Sequence, residues 1–179
     1  MLTGPFKNRR IGTIAKVSTI ACIVPFLLFG ISGLRISTSP SVPIGLYRVT
    51  SDELAPLVEF CPVEPYASFA AARGYRPKGN CPDGSSPLMK PLVATAGDRV
   101  RVSEHGLEVN GNFVPNTAPM PLDTQKRPMA AWPSGNYVVA PGWIWVASSY
   151  NARSFDSRYF GPVRTADIRC HVKPFLIVP

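Results

Sequence analysis

The sequence has few charged residues and very little histidine. Only 17% of its 179 residues are charged, and its two histidines, His105 and His171, are far apart in the chain. No Cys-x-x-Cys pair is present, so the spacing typical of a zinc site is missing, and we expect neither a metal nor an organic cofactor. Proline is abundant instead, with 20 residues, and this disfavours a helical bundle because proline breaks helix interiors.

Acidic residues are absent from the first 35 positions. That stretch holds five of the basic side chains behind a net charge of +8, namely Lys7, Arg9, Arg10, Lys16 and Arg35. After residue 35 no basic run is interleaved with aromatic residues, so we do not expect nucleic-acid binding.

An uncharged apolar run at residues 17–34 follows the basic cluster. Together with residues 11–16 it is long enough to cross a hydrocarbon layer of about 30 Å. It predicts a single transmembrane helix within a segment 1–35, with the N-terminus in the cytoplasm by the positive-inside rule. A cleaved signal peptide is the main alternative, although its apolar region would be shorter. A buried soluble helix is a third interpretation.

Residues 36–179 read as one mostly β domain. Short runs rich in strand-forming residues alternate with proline and glycine, at 45–50, 57–61, 88–96, 99–103, 136–140, 143–148 and 168–178. Asn110-Gly111 predicts a hairpin over residues 107–114, because Asn and Gly accept positive φ angles. Pro141-Gly142 predicts a second hairpin over residues 136–148.

Two segments of this domain lack the strand pattern. Residues 64–74 predict a short helix inside an insertion at 62–86, with Pro65 near its start. Cys61 and Cys81 bracket that helix, and in an exported domain a disulfide between them would tie down an insertion with little core of its own. Three free thiols, including Cys170, are the alternative. Residues 115–133 are polar and rich in proline, and predict a long surface loop.

Lys90 has the most apolar surroundings of any lysine after the predicted anchor, Pro-Leu-Met-Lys-Pro-Leu-Val-Ala. Neither histidine lies in a convincing serine-hydrolase motif. A lysine can activate a hydroxyl in place of histidine if desolvation lowers the pKa of its amine. The alternative is a lysine whose charge reaches solvent along an apolar strand.

Three motifs follow the predicted anchor in a fixed order. They are Ser41-Val42-Pro43-Ile44-Gly45-Leu46, then Lys90 followed by Gly97-Asp98-Arg99-Val100, then Ser154-Phe155-Asp156-Ser157-Arg158-Tyr159-Phe160-Gly161-Pro162. This arrangement resembles the type I signal peptidases. The small domain, its insertion and the form Ser-Val-Pro-Ile-Gly-Leu-Tyr are most similar to the TraF branch of that family. The resemblance implies a peptidase that matures the pilin of a conjugative apparatus, in the best-known members joining its ends into a ring.

The resemblance also implies roles for individual residues. Ser41 would be the nucleophile and Lys90 the general base. Ser39 would help the Ser41 backbone N–H bind the oxyanion, and Ser154 would orient the lysine amine. The spacing of Ser41 to the following Gly-Leu also favours it, although the hydroxyls of residues 37–39 leave an alternative nucleophile open.

The third motif contains two further candidate residues, and the chain departs from the family pattern at two places. The resemblance implies that Asp156 and Arg158 support the site, whereas ordinary surface charges are the alternative. Ala96 stands where a proline is usual. Residues 148–153, Ser-Ser-Tyr-Asn-Ala-Arg, replace the Gly-Asp-Asn-Arg of larger signal peptidases, so we expect that wall of the site to be built differently.

The sequence thus predicts a Ser/Lys peptidase anchored in the bacterial inner membrane, with its catalytic domain in the periplasm. Its expected partners are a pilin precursor or another exported protein, and membrane lipid. A general type I signal peptidase is one alternative, and a non-catalytic membrane-anchored assembly factor on the same scaffold is another. Hydrolysis and cyclisation both remain open, because an acyl-enzyme can react with water or with an amine.

Overall fold

The structure of the protein is a computed structural model that describes residues 33–178. The predicted cytoplasmic N-terminus and the predicted membrane segment, up to residue 32, lie outside the described residues. Between residues 33 and 178 no helix has the length and apolar character required to span a membrane.

The described part of the chain is mostly β, as predicted. Its strands are β1 Leu34–Ser37, β2 Gly45–Thr50, β3 Leu57–Phe60, β4 Leu88–Ala94, β5 Arg99–Ser103, β6 Gly106–Val109, β7 Asn112–Val114, β8 Gly135–Val138, β9 Trp143–Val146, β10 Val163–Arg164 and β11 Ile168–Ile177. The helices are α1 Tyr66–Ala72 and α2 Ser157–Phe160, and a 3-10 turn covers Thr165–Asp167.

The larger sheet joins distant parts of the chain in the order β1-β2-β11-β3-β4-β9-β10. β11 lies antiparallel between β2 and β3, with His171 opposite Thr50 on one side and Val58 on the other. Gly45 begins β2 where a Cβ atom would overlap the Leu176 carbonyl. A glycine is therefore required for the end of β11 to approach β2 closely.

β4 changes its pairing partner along its length. It pairs with β3 through Pro91, which lies opposite Leu57, and with β9 from Leu92 onward. Pro91 has no N–H to donate to a neighbouring strand, and its carbonyl accepts from the Ala147 N–H at 3.0 Å. Lys90 therefore lies one residue before the point at which the central strand passes from β3 to β9.

The smaller sheet has the order β7-β6-β5-β8 and contains the first predicted hairpin. β6 and β7 pair antiparallel with Leu107 opposite Val114. Asn110 and Gly111 form the turn with positive φ angles of 51° and 82°, which is the conformation that a two-residue hairpin loop requires.

The second predicted hairpin, over residues 136–148, is wrong. β8 pairs with β5 in the smaller sheet, whereas β9 pairs with β4 and β10 in the larger one. Pro141 and Gly142 do turn the chain, but the turn carries it from one sheet to the other.

The insertion has its predicted helix and its predicted disulfide. α1 lies inside the expected range of 64–74, and a disulfide joins Cys61 to Cys81, which excludes the alternative of free thiols at these positions. Cys170 is a free thiol. Residues 115–133 contain no named strand or helix, in keeping with the predicted loop.

Among residues 33–178 the apolar core has three clusters. The largest packs β3 and β9 against α1 and α2, the second joins the smaller sheet to Trp145 of β9, and the third holds the segment after β1 through Val42 and Tyr47. Both residues are fully buried, and the Tyr47 hydroxyl donates to the Pro43 carbonyl at 2.5 Å. The third cluster thus anchors the turn that carries Ser41.

Candidate active site

The structure brings Ser41, Lys90 and Ser154 together. Lys90 Nζ donates to Ser41 Oγ at 2.7 Å and to Ser154 Oγ at 2.8 Å, and the two hydroxyls are 3.2 Å apart. All three side chains are buried, with Lys90 only 3% exposed. Each comes from a different part of the chain, namely the turn before β2, the middle of β4 and the loop after β9.

Burial lowers the pKa of Lys90 from its ordinary value of 10.5 to about 8. The apolar surroundings disfavour the charged ammonium, and the nearby Arg158 acts in the same direction, while Asp156 opposes both by attracting the charge. The amine can therefore lose its proton near neutral pH. The alternative of a lysine whose charge reaches solvent is inconsistent with its burial.

Ser39 lies at the open side of this group. Its hydroxyl is 3.5 Å from the Ser41 backbone N–H and 3.4 Å from Ser41 Oγ, both at the long limit of a hydrogen bond. The Ser41 N–H is thus directed toward the Ser39 hydroxyl. Ser37 is turned away, since its hydroxyl donates to the Ser39 carbonyl.

Asp156 and Arg158 form a buried ion pair behind the site. The guanidinium reaches both carboxylate oxygens, with Nε to Oδ1 at 2.8 Å and Nη2 to Oδ2 at 3.0 Å. Arg158 also donates to the carbonyls of Asn116, Ala152 and Ser148. The alternative of ordinary surface charges is therefore wrong, because these side chains are 0% and 1% exposed and bind the backbone of both the 115–133 loop and residues 148–153.

Ser148 is a site residue that the sequence reasoning missed. Its hydroxyl donates to the Ser41 carbonyl at 2.6 Å, and its own N–H donates to Asp156 at 3.0 Å. The only signal in the sequence was that residues 148–153 depart from the Gly-Asp-Asn-Arg pattern. A hydroxyl contact across more than a hundred positions has no local signature.

A cleft of about 210 Å³ opens beside Ser41 and Lys90. Its far wall combines the insertion with the 115–133 loop, and the lining includes Tyr75, Met120 and Met129. The Tyr75 hydroxyl donates to Asp123 at 2.7 Å. The two segments that lacked a strand pattern therefore meet at the site.

Asp123 receives several hydrogen bonds in this wall. Arg127 donates to it through Nε at 2.7 Å and through its backbone N–H at 2.9 Å, and Arg127 Nη2 donates to the Arg73 carbonyl at 3.0 Å. Burial alone would raise the pKa of Asp123, but the bonds from Tyr75 and Arg127 hold it far below its usual value. We call Arg73, Tyr75, Asp123 and Arg127 the latch.

The histidines are not part of this group. His105 is exposed beside Glu104, and His171 lies in β11 between β2 and β3. Within residues 33–178 no three histidine, cysteine or acidic side chains are grouped as ligands of a metal ion would be.

One protein family and several known relatives match this chain. The family model for signal peptidases of the peptidase S26 type matches residues 9–176. A plasmid transfer protein TraF of Escherichia coli is 33% identical over 175 residues, covering 94% of this chain and 98% of the relative. A probable conjugal transfer protein TraF of Sinorhizobium fredii is 38% identical over 161 residues, covering 87% and 80%.

Solved structures were compared as well. The crystal structure of a signal peptidase I from Enterococcus faecalis matches with 18% identity and a TM-score of 0.36, covering 69% of this chain and 97% of that one.

Proposed function

The chain belongs to the signal peptidase S26 family, and from this membership we propose that it is a membrane-bound serine peptidase that processes a conjugative pilin precursor. Relatives named for plasmid or conjugal transfer support a role in conjugation. The observation that carries the proposed chemistry is the 2.7 Å contact between Ser41 Oγ and the buried Lys90 Nζ.

In the proposed first step, Lys90 is the base and Ser41 the nucleophile. The neutral amine takes the proton from Ser41 Oγ while the oxygen attacks the carbonyl carbon of the scissile peptide bond. Ser154 Oγ accepts a second hydrogen bond from the amine and so orients it toward Ser41. The pKa of about 8 supports this role, since a base works best when its pKa lies near the operating pH.

The proposed oxyanion site is the Ser41 backbone N–H together with the Ser39 hydroxyl. Donors aimed at the developing negative charge stabilise the transition state by about 3–4 kcal/mol each. As the tetrahedral intermediate collapses, the Lys90 ammonium gives its proton to the leaving amine. The peptide bond is then broken, and the acyl group is an ester of Ser41.

The fate of this ester decides the product. Attack by water, with its proton taken by Lys90 and passed to the departing Ser41 Oγ, breaks the ester and gives a new carboxylate. Attack by the neutral amino group at the other end of the pilin, with the same transfer of its proton to Ser41 Oγ, breaks the ester and gives a new peptide bond and a cyclic product. The better positioned nucleophile reacts faster.

The proposal places the domain in the periplasm and the N-terminus in the cytoplasm. The disulfide between Cys61 and Cys81 supports this location, because disulfides persist in oxidising compartments. The uncharged run at residues 17–34 supports an anchor that holds Ser41 near the membrane surface.

Processing of the pilin precursor by membranes that contain the full chain tests the proposal. We expect Ser41→Ala and Lys90→Ala to abolish the product, whereas the matched variants Ser103→Ala and Lys173→Ala leave it unchanged. Mass spectrometry separates a linear product from a cyclic one, which is lighter by one water. Normal processing in either site variant would refute the dyad, and cleavage of ordinary leader peptides but not of the pilin would favour a general signal peptidase.

The pH profile tests the role of Lys90 separately. We expect kcat/KM to rise with pH to a plateau, with a midpoint near the pKa of about 8, because this ratio reports the free enzyme's essential base. Asp156 raises the pKa of Lys90, so Asp156→Asn should move the midpoint to lower pH. A profile without any midpoint in this region would argue against a lysine base.

A further inference from the structure

We infer that Ser148 is a positioning residue that fixes the backbone of Ser41 for catalysis. The inference rests on the proposed function, because it concerns the geometry of the proposed nucleophile. Ser148 lies just after β9 and is fully buried. Its hydroxyl is 2.6 Å from the Ser41 carbonyl oxygen, a contact across 107 positions of the chain.

The direction of this hydrogen bond follows from the other contacts of the hydroxyl. A serine hydroxyl has one proton to donate and two lone pairs to accept with. The backbone N–H groups of Tyr150 and Asn151 both donate to Ser148 Oγ at 3.2 Å, and these occupy the lone pairs. The proton is therefore left for the Ser41 carbonyl, and the hydroxyl is saturated.

Ser148 is itself held by the buried ion pair. Its N–H donates to Asp156 Oδ2 at 3.0 Å, and its carbonyl accepts from Arg158 Nη2 at 3.1 Å. Both polar groups of its backbone are therefore bound to side chains that cannot move into solvent. Ser148 connects this ion pair to the backbone of Ser41.

Fixing the Ser41 carbonyl fixes the whole residue. The plane of the peptide after Ser41 sets its ψ angle, and its Cα carries both the Oγ that faces Lys90 and the N–H of the proposed oxyanion site. A displacement of about 1 Å at a reacting group can reduce a rate about a hundredfold. Ser148 carries no titrating charge, so it acts on geometry and not on the proton affinity of Lys90.

Ser157 provides a matched control in the same region. It is equally buried, and its hydroxyl accepts from the Val146 N–H at 3.0 Å. Removing either hydroxyl leaves a buried backbone group without its partner, so Ser148→Ala and Ser157→Ala should both lower Tm. Only Ser148→Ala removes a contact to Ser41.

The experiment measures cleavage of the pilin precursor by the full-length chain in membranes. We expect Ser148→Ala to lower kcat by about tenfold to a hundredfold, with KM and the pH midpoint unchanged, and Ser157→Ala to stay within about twofold of the wild type. Ser148→Cys fills the site with a bulkier and weaker donor, so its kcat should lie between those of Ser148→Ala and the wild type. This variant supplies the test if Ser148→Ala does not fold.

A second readout does not depend on the pilin. Acylation of Ser41 by p-nitrophenyl acetate releases nitrophenol in a burst, which should be absent in Ser41→Ala and slowed in Ser148→Ala. A kcat and a burst rate in Ser148→Ala equal to those in Ser157→Ala would overturn the inference. A wild type that shows the burst but does not cut the pilin precursor would refute the proposed substrate, and the burst rates would then decide the role of Ser148.

Discussion

At the residue scale, Lys90 combines the reactivity of the site with a cost in stability. Lys90 is only 3% exposed, so in the folded protein its charged amine lacks most of the hydration that it has in the unfolded chain. The same desolvation that lowers its pKa to about 8 therefore destabilises the folded protein whenever the amine is protonated.

We expect Lys90→Met to be more stable than the wild type at pH 7, although it should be inactive. The folded pKa of about 8 lies below the ordinary 10.5, so the unfolded chain binds the proton more tightly and the penalty is fully present below pH 8. By linkage, removing it should raise the free energy of unfolding by up to about 3 kcal/mol.

Denaturant unfolding at several pH values measures this difference. The advantage of Lys90→Met should shrink as pH rises through 8 toward 10.5, because the wild-type amine is then neutral in both states. Lys173→Met, at an exposed position of β11, should show no such trend. A Lys90→Met variant that is less stable at all pH values would contradict the argument.

At the element scale, the latch joins two segments without strands, and its Tyr75 and Asp123 line one wall of the cleft. The insertion contributes Arg73 and Tyr75, and the 115–133 loop contributes Asp123 and Arg127. Because the hydrogen bonds to Asp123 hold its pKa far below its usual value, Asp123 stays ionised and keeps these bonds at neutral and mildly acidic pH. Loss of these hydrogen bonds would leave this wall of the cleft less ordered before substrate binds.

We expect Tyr75→Phe and Asp123→Asn to raise KM for the pilin precursor with little effect on kcat. A lost hydrogen bond of about 0.5–1.5 kcal/mol corresponds to about twofold to twelvefold in binding. Tyr137→Phe is the matched control, since its hydroxyl donates to Pro133 at 2.7 Å outside the cleft lining. Steady-state kinetics that show an unchanged KM in both latch variants would exclude this role for the wall.

Local sequence patterns predicted some strands and turns correctly but not which strands pair. The turn at Asn110-Gly111 was predictable because its two residues have conformational preferences that match one hairpin geometry. Pro141-Gly142 was equally good evidence for a turn, but it did not reveal that β8 and β9 belong to different sheets. β1 was missed altogether, because Leu34–Ser37 joins an apolar run to a cluster of hydroxyls without alternation.

At the scale of the whole molecule, the larger sheet assembles the site from distant strands. β2 follows the turn that carries Ser41 and is paired to the last strand, β11, while Lys90 comes from β4. Ser41 and Ser154 are 113 positions apart in the chain. The geometry of the site therefore depends on the complete set of strand pairings and not on any one motif.

We expect the whole domain after residue 36 to lie outside the cytoplasm. A reporter enzyme that is active only after export, fused after residue 178, should be active, because the basic cluster before the apolar run retains the N-terminus inside. A reporter active only in the cytoplasm is the control at the same position. Activity of that second reporter alone would refute the proposed orientation.

The sequence by itself determined the mostly β class, the hairpin at Asn110-Gly111, the helix between Cys61 and Cys81, and the group of candidate side chains. These follow from turn chemistry, residue spacing and motif order, which act over a few positions or are visible along the chain. Only the tertiary structure decided that Lys90 is buried against Ser41, that Ser148 holds the Ser41 carbonyl, and that the latch joins two segments in one wall of the cleft. Desolvation and hydrogen bonding depend on what surrounds an atom in space, and those neighbours come from strands and loops that no local pattern connects.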